Sequence, residues 1–158
     1  MAVDYYLKLD GIEGEAVTTG FEKQIQIMSF SWGGSQVTSV AGTGGSGAGK
    51  VDLSDISFMK NYDKSSPQIF KSLISGTHIK TGVLSATKAG SGGKAFLKIS
   101  LGELFVTSLQ DSASSEIPTE SVSFSYNTIK IEYSTQNEQG ILTAVGAVSY
   151  DVKTNKPS

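Results

Sequence analysis

The chain alternates between apolar and polar residues over many short stretches, which is typical of half-buried β-strands. The longest stretch runs from Pro118 to Gln136. Its apolar positions change parity near Asn127, and a change of parity flips the side chains to the other face unless the strand bulges. The pattern favours one bent strand shared by two curved sheet halves. The alternative is two shorter strands joined by a turn at residues 127–128.

The same alternation predicts six further strands. They lie within residues 3–10, 24–32, 51–60, 77–88, 96–108 and 142–152. In the second of these, a bulge near Met28 and Ser29 would turn the apolar residues of both halves inward. Its outward face would then be polar and smooth, and would carry Gln24, Gln26, Met28 and Ser31.

One short helix is predicted between these strands. Ser66 suits the N-cap, Pro67 the first helical position and Gly76 the position after the end. An apolar stripe at helical spacing is formed by Ile69, Phe70, Leu73 and Ile74. Because so short a helix is marginal alone, it must lie on a sheet. The whole pattern predicts a mainly β single domain over residues 1–158, an antiparallel β-barrel of two curved sheets with one short flanking α-helix and a polar tail at 153–158.

Residues 33–50 are too long and too rich in glycine for a tight hairpin. Their composition cannot build a core, so we expect an arm over residues 39–50 that is disordered or becomes ordered against a partner. The end of this arm nearly matches a phosphate-binding loop. However, Val51 replaces the hydroxyl residue that would hold magnesium, and a strand follows where that loop requires a helix.

Composition narrows the function classes. The chain has 158 residues and no cysteine, so disulfides are excluded. Its net charge of -2 gives no electrostatic reason to expect nucleic-acid binding. His78 is the single histidine, so a two-histidine metal site is not expected within one chain. Any histidine-based triad would have to use His78, which is interpreted as a surface or turn residue. The first ten residues lack a signal-peptide core, and no apolar run approaches a membrane span. We therefore expect no cofactor and no enzyme activity.

Acidic residues on strands and in loops are interpreted as solvated. They are Asp52, Asp55, Glu116, Glu120, Glu132 and Glu138.

A set of segments taken together resembles one family. They are MAVDYYLKLDGIEGE, SFSWGGSQ, GAGKVDLSDISF, KNYDKSSPQIFKSLISGTH, TKAG, ISLGELFVTSL and TESVSFSYNTIKIEY. In this order they resemble the haemolysin-coregulated protein family of type VI secretion. The resemblance implies a β-barrel of two sheets with one flanking helix, in a homohexameric ring with an open centre.

In that family the rings stack into the inner tube of a contractile apparatus and carry small effector proteins in the lumen. The resemblance therefore implies that the chain binds copies of itself, small secreted effectors, and the tip and sheath components of the apparatus. It also implies synthesis in the bacterial cytoplasm and secretion without a cleaved signal peptide.

Two sets of residues receive roles as hypotheses. The lumen-facing set is Gln24, Gln26, Met28 and Ser31. The set in contact with neighbouring subunits or stacked rings is Ser39, Val40, Gly42, Gly44, Gly45, Gly47, Gly49 and Lys50. Two other interpretations stay open: a non-enzymatic carbohydrate-binding β-sandwich that uses Trp32 and tyrosines to stack sugars, and a hydrolase with an unusual carboxylate site.

Overall fold

The computed structural model describes residues 2–38, 48–88, 93–139 and 141–158. Within these ranges the chain is mainly β, with antiparallel strands and one α-helix, as the sequence predicts. The elements are β1 Val3–Leu9, β2 Ile25–Ile27, β3 Ser29–Ser31, β4 Gly34–Thr38, β5 Ala48–Leu53, β6 Ile56–Asn61, α1 Ser66–Ser75, β7 Ile79–Lys88, β8 Ala95–Ser112, β9 Thr119–Ser125, β10 Thr128–Gln136, β11 Leu142–Asp151 and β12 Lys156–Pro157.

The strands form two joined sheets and a separate two-stranded ribbon. Sheet A has the order β12-β11-β10-β8-β7-β1-β2, and sheet B has the order β8-β9-β6-β3. The ribbon consists of β4 and β5. The first part of β8 pairs in sheet A and the last part pairs in sheet B, so this one strand belongs to both sheets.

The bend of β8 lies at Gly102 and Glu103, where the sequence pattern predicts a change of parity. Glu103 has a positive φ of 50°. A Cβ at Gly102 would collide with the Thr128 hydroxyl on β10, so the close approach of the two strands requires glycine there. Opposite the bend, the chain leaves the strand conformation between Ser125 and Thr128. The predicted continuous strand over residues 118–136 is therefore wrong: it is two strands, which follow the two halves of β8.

A second link between the sheets lies at Met28. Here β2 pairs with β1 in sheet A, and β3 pairs with β6 in sheet B. The predicted inward packing is found, because Ile25 and Ile27 are buried and Phe30 packs against the same core. It arises from a break between two strands and not from the predicted bulge within one strand over residues 24–32. In the part of the chain that the structure describes, the strand pairings do not form a closed barrel.

The core fills the space between the two sheets. Phe58 and Phe124 of sheet B meet edge to face with ring centroids 5.8 Å apart. A smaller cluster lies on the other side of β1, where the Tyr6 ring stacks on Phe21 at 4.6 Å. The alternation in β1 assigns Tyr6 to the polar face. That assignment is wrong, because the loop of residues 10–24 folds back over it.

The helix is confirmed, with one correction at its start. Its N-cap is Ser65 and not Ser66, and Pro67 lies in its first turn. Gly76 ends it with a φ of 67° and donates its amide to the Ser72 carbonyl at 3.1 Å. The apolar stripe is only partly used: Ile69 is buried, whereas Phe70 and Ile74 are exposed. The helix therefore packs on the core through Ile69 and Leu73, and the rest of its apolar stripe faces outward.

Two segments expected to be irregular contain strand. The glycine-rich segment forms the β4–β5 ribbon at its two ends, and Gly49 and Lys50 lie in β5. The other predicted arm residues, Ser39, Val40, Gly42, Gly44, Gly45 and Gly47, lie outside the described residues. In the polar tail, Lys156 and Pro157 pair with the end of β11. In both places the described residues are held by main-chain pairing with a neighbouring strand.

Candidate functional site

The outward face of sheet B is lined by small hydroxyl side chains. Val122 and Phe124 of β9 are buried, and successive strand residues point to opposite faces, so the serines between them point outward. The register aligns these serines with serines of the neighbouring strands. We name this surface the serine face. It consists of Ser29, Ser31, Ser57, Ser108, Ser121, Ser123 and Ser125.

The serine face has a hydrogen bond between two of its own hydroxyl groups, and none of its residues is charged. The hydroxyl oxygens of Ser57 and Ser123 lie 2.7 Å apart. Two exposed apolar side chains, Met59 and Phe105, interrupt the hydroxyl rows. The nearest carboxylate is at the margin, where Asp55 accepts a hydrogen bond from the Thr107 hydroxyl at 2.7 Å. This surface can hydrogen-bond weakly to many partners, and it has no charge with which to select among them.

The four predicted lumen residues lie on the outward faces of two different sheets. Ser31 is exposed on the serine face, in one row with Ser57. Met28 is exposed at the junction of the sheets, and its amide donates to the Met59 carbonyl at 2.7 Å. Gln26 is exposed on sheet A. Gln24 precedes β2 and is half-buried.

Gln24 also lines the edge of an open cavity of about 590 Å³ on the outer side of sheet A. Lys8, Lys94 and Lys98 line the same cavity. The side-chain oxygen Oε1 of Gln24 is buried and has no hydrogen-bond partner among the described residues. The structure therefore separates Gln24 from Ser31 in both position and electrostatic surroundings.

Sequence reasoning missed most of the serine face. Ser57 and Ser123 are distant from Ser31 along the chain and meet it only through strand pairing. The sequence does contain one sign of this surface, the alternating serines of residues 119–125. The alternation shows that one face of β9 carries small side chains, but it does not show which strands lie beside β9.

A buried ionic cluster lies at the end of sheet B next to the helix. The side chains of Lys60 and Glu120 are each 1% exposed, and Lys60 Nζ lies 2.5 Å from Glu120 Oε2. Ser66 donates its hydroxyl to the same Oε2 at 2.6 Å, and Asp63 Oδ1 lies 3.2 Å from Lys60 Nζ. Glu120 was interpreted as solvated, which is wrong. A buried carboxylate needs such partners, so the cluster fixes the start of α1 against sheet B.

A tyrosine at the margin of the serine face stays neutral. Tyr126 donates its hydroxyl to the Ser54 carbonyl at 2.8 Å. Burial, with the negative charge of Asp55 as the smaller cause, raises the pKa of Tyr126 to about 12. The neutral Tyr126 hydroxyl thus holds the short connection between β5 and β6 by a hydrogen bond.

Strand β11 forms an exposed apolar surface at the far end of sheet A. Val148 lies opposite Ile131 of β10 and is 66% exposed. Ile141, Val145 and Tyr133 are also exposed there. Among the described residues, the outer edge of β11 is covered at one end by β12 and by Ser158, whose main chain exchanges two hydrogen bonds with Ser149. Long, apolar edge strands of this kind pair readily with another chain.

Residues 2–38, 48–88, 93–139 and 141–158 contain no group of three or more His, Asp or Glu side chains that could hold a metal ion. None of the helical structure in those ranges has the length and apolar character needed to span a membrane. His78 is exposed, and its ring centroid lies 6.0 Å from that of Phe105.

Comparison with known proteins gives consistent similarities. The family model described as "Type VI secretion system effector, Hcp" matches residues 6–133. The protein hcp1 of Pseudomonas aeruginosa is 34% identical over 143 residues, which cover 89% of this chain and 88% of that protein. A solved structure described as that of a type six secretion system protein superposes with a TM-score of 0.92 at 26% identity, over 99% of this chain and 100% of the other. Hcp1 from Salmonella typhimurium gives a TM-score of 0.80 at 29% identity, with the same coverage.

Proposed function

The chain belongs to the haemolysin-coregulated protein (Hcp) family, the tube proteins of type VI secretion, and on that premise we propose that it is a non-catalytic structural subunit of the inner tube. In this proposal the copies form homohexameric rings that stack, and small effector proteins travel in the lumen. Tip and sheath components of the apparatus are the other partners.

The serine face is the observation that carries this proposal. A channel that passes different proteins needs weak and uniform contacts, because strong local charge would hold one cargo and repel another. The serine face offers short hydroxyl side chains without charge, and Ser31 lies within it. We therefore assign the serine face to the lumen, with Met28 at its border. Gln24 and Gln26 stay predictions, because they lie outside sheet B.

Closure of the two sheets into a barrel is part of the proposal. The sheets share β8 on one side, and on the other side the chain passes directly from β2 to β3. The hydrogen bond from the Met28 amide to Met59 brings this crossing against β6. Barrels leave few strand edges open, which suits a subunit whose remaining edge is used for assembly.

The exposed surface of β11 supports self-association. A cyclic ring needs two different surfaces that meet on neighbouring copies. The Val148 side chain and the apolar residues near it form one such surface, and covering them would gain about 25 cal/mol for each Å² removed from water.

The mass of the purified protein tests the proposal. We expect light scattering to give about six times the chain mass of 16.6 kDa, because the proposed cyclic interface closes into a homohexameric ring. A particle with the mass of one chain at every concentration would contradict it. It would favour the carbohydrate-binding alternative, although Trp32 packs partly buried against the core instead of standing free for a sugar.

A charge on β11 should break the ring. In Val148→Asp, a carboxylate would be buried at the subunit contact, so we expect a shift of mass toward a single chain with an unchanged melting temperature. Val17→Asp is the matched control, because Val17 is 89% exposed on a loop outside the strands. A Val148→Asp protein that keeps the wild-type mass would exclude β11 from the interface.

A further inference from the structure

The buried cluster at the end of sheet B contains an oxygen that no described residue bonds. Glu120 Oε2 accepts hydrogen bonds from Lys60 at 2.5 Å and from Ser66 at 2.6 Å. Glu120 Oε1 is also buried and has no hydrogen-bond partner in the described part of the chain. Leaving a charged buried oxygen unsatisfied is costly, so a donor is needed at this position.

Asp111 is the group placed to supply that donor. It lies directly opposite Glu120 in the pairing of β8 with β9, and its carboxyl group is within hydrogen-bonding reach of Glu120. Two carboxylates cannot bond to each other unless one carries a proton. The other charged groups of the cluster are Lys60 on β6 and Asp63 before α1, and Lys60 is already bonded to Oε2.

We propose that Asp111 and Glu120 share one proton, which satisfies Glu120 Oε1 and fastens the end of sheet B to the start of the helix. The geometry makes this proton a pH-sensitive lock on one rim of the subunit. At that rim the Tyr62 amide donates to the Pro118 carbonyl at 2.8 Å, which joins the chain before α1 to the chain before β9. Loss of the proton would place two negative charges side by side and loosen both segments.

The electrostatics of Asp111 agree with this geometry. Desolvation raises the pKa of Asp111, the hydrogen bond to Glu120 and the negative charge of Glu120 raise it further, and Lys60 opposes them. A carboxyl whose pKa is raised on folding stabilises the folded state at low pH, and that stabilisation is lost as the pH rises through the folded pKa. Because Asp111 is exposed, water screens part of the effect.

Asp111→Asn tests the lock, because the amide is isosteric, uncharged and a permanent donor to Glu120 Oε1. We expect the variant to melt above the wild type by about 2–4 °C at about pH 7. The difference should shrink toward zero as the pH is lowered to about 4, because a raised pKa lets the wild type take up its proton as the pH falls. Glu116→Gln is the matched control, since Glu116 is exposed, and its melting temperature should follow the wild type at both pH values.

Asp111→Ala separates the shared proton from simple charge repulsion. It removes the negative charge but leaves Oε1 without a donor, so it should be less stable than Asp111→Asn at about pH 7. Equal melting of the Ala and Asn variants would overturn the proposal. So would an Asn variant that melts no higher than the wild type at about pH 7, or a Glu116→Gln control that gains as much as Asp111→Asn.

A direct titration gives a second and independent readout. Carboxyl carbon NMR of the wild type should show Asp111 titrating above its usual range while the protein stays folded. An Asp111 carboxyl that titrates at or below its usual value would also overturn the shared proton.

Discussion

The side chains of Lys60 and Glu120 show that strand alternation holds more information than a division into apolar and polar residues. Lys60 follows Ile56 and Phe58 at a spacing of two, and Glu120 precedes Val122 and Phe124 in the same way. Both charged residues therefore share the core-facing parity of their strands, and the register places them opposite each other. An inward lysine and an inward glutamate on two strands predict a pairing. The interpretation of Glu120 as solvated is wrong because it ignores this shared parity.

The variant Lys60→Met should destabilise the protein strongly, because Glu120 would stay buried without its counter-charge. We expect a loss of about 3–5 kcal/mol in the free energy of unfolding, measured by urea denaturation. Lys130→Met is the control, since Lys130 is exposed and its contact with Glu132 at 3.5 Å should be worth about 1 kcal/mol or less.

A double variant checks the cause of that loss. Adding Glu120→Leu to Lys60→Met removes the unpaired charge, so it should restore most of the lost stability. If the double variant stays as unstable as the single one, shape and not charge explains the effect.

At the scale of elements, the sequence predicts well where strands and the helix occur, and predicts poorly whether a strand is continuous. The helix is present, and every predicted strand region contains strand. The single strands predicted within 24–32 and 51–60 are each two strands, β2 and β3, and β5 and β6. Changes of parity at Met28, Gly102 and Asn127 mark places where the chain bends or breaks. A change of parity cannot show which of these happens, because a bulge and a break give the same pattern. The outcome depends on the neighbours: β8 stays continuous through Gly102, whereas β9 and β10 separate opposite it.

The β4–β5 ribbon illustrates the other limit. Composition indicates that its residues cannot build a core, which is a statement about side chains. Main-chain hydrogen bonds need no apolar residue, and the ribbon pairs Gly34 with Leu53 and Thr38 with Ala48. One apolar side chain contributes at the base of the ribbon, where Leu53 packs partly buried against the main core.

Removal of residues 42–47 tests the proposed role of the arm in assembly. The deletion spares both strands of the ribbon, so we expect an unchanged melting temperature and fewer stacked tubes by sedimentation and electron microscopy. A replacement of the same length by another flexible glycine–serine segment is the control for chain length. Wild-type tube yield from the deletion would remove the arm from the assembly interface.

For the whole molecule, the family could be identified from the sequence because its motifs follow one another in a fixed order along the chain. The serine face could not be assembled in the same way, because its rows combine strands far apart in sequence. The surface that we propose for the lumen is therefore one that only the pairing of β3, β6, β9 and β8 creates.

A single thiol can show whether the serine face lines a lumen. The chain has no cysteine, so Ser31→Cys introduces a unique reactive group at an exposed position. In assembled rings we expect a small maleimide to label it and a maleimide on a polymer wider than the opening to be excluded. In the Val148→Asp background, which should not form rings, both reagents should label it. Equal labelling by the large reagent in intact rings would place Ser31 on the outside.

Strand β8 has a consequence for how the subunit responds to force. Its 18 residues cross from one sheet to the other without a break, so a pull on either sheet is transmitted through the covalent backbone to the other. Because separating one half of β8 would disturb the alignment of the remaining half with its own neighbours, we expect the two sheets to open together under load. Such joint opening would suit the tube subunit that we propose.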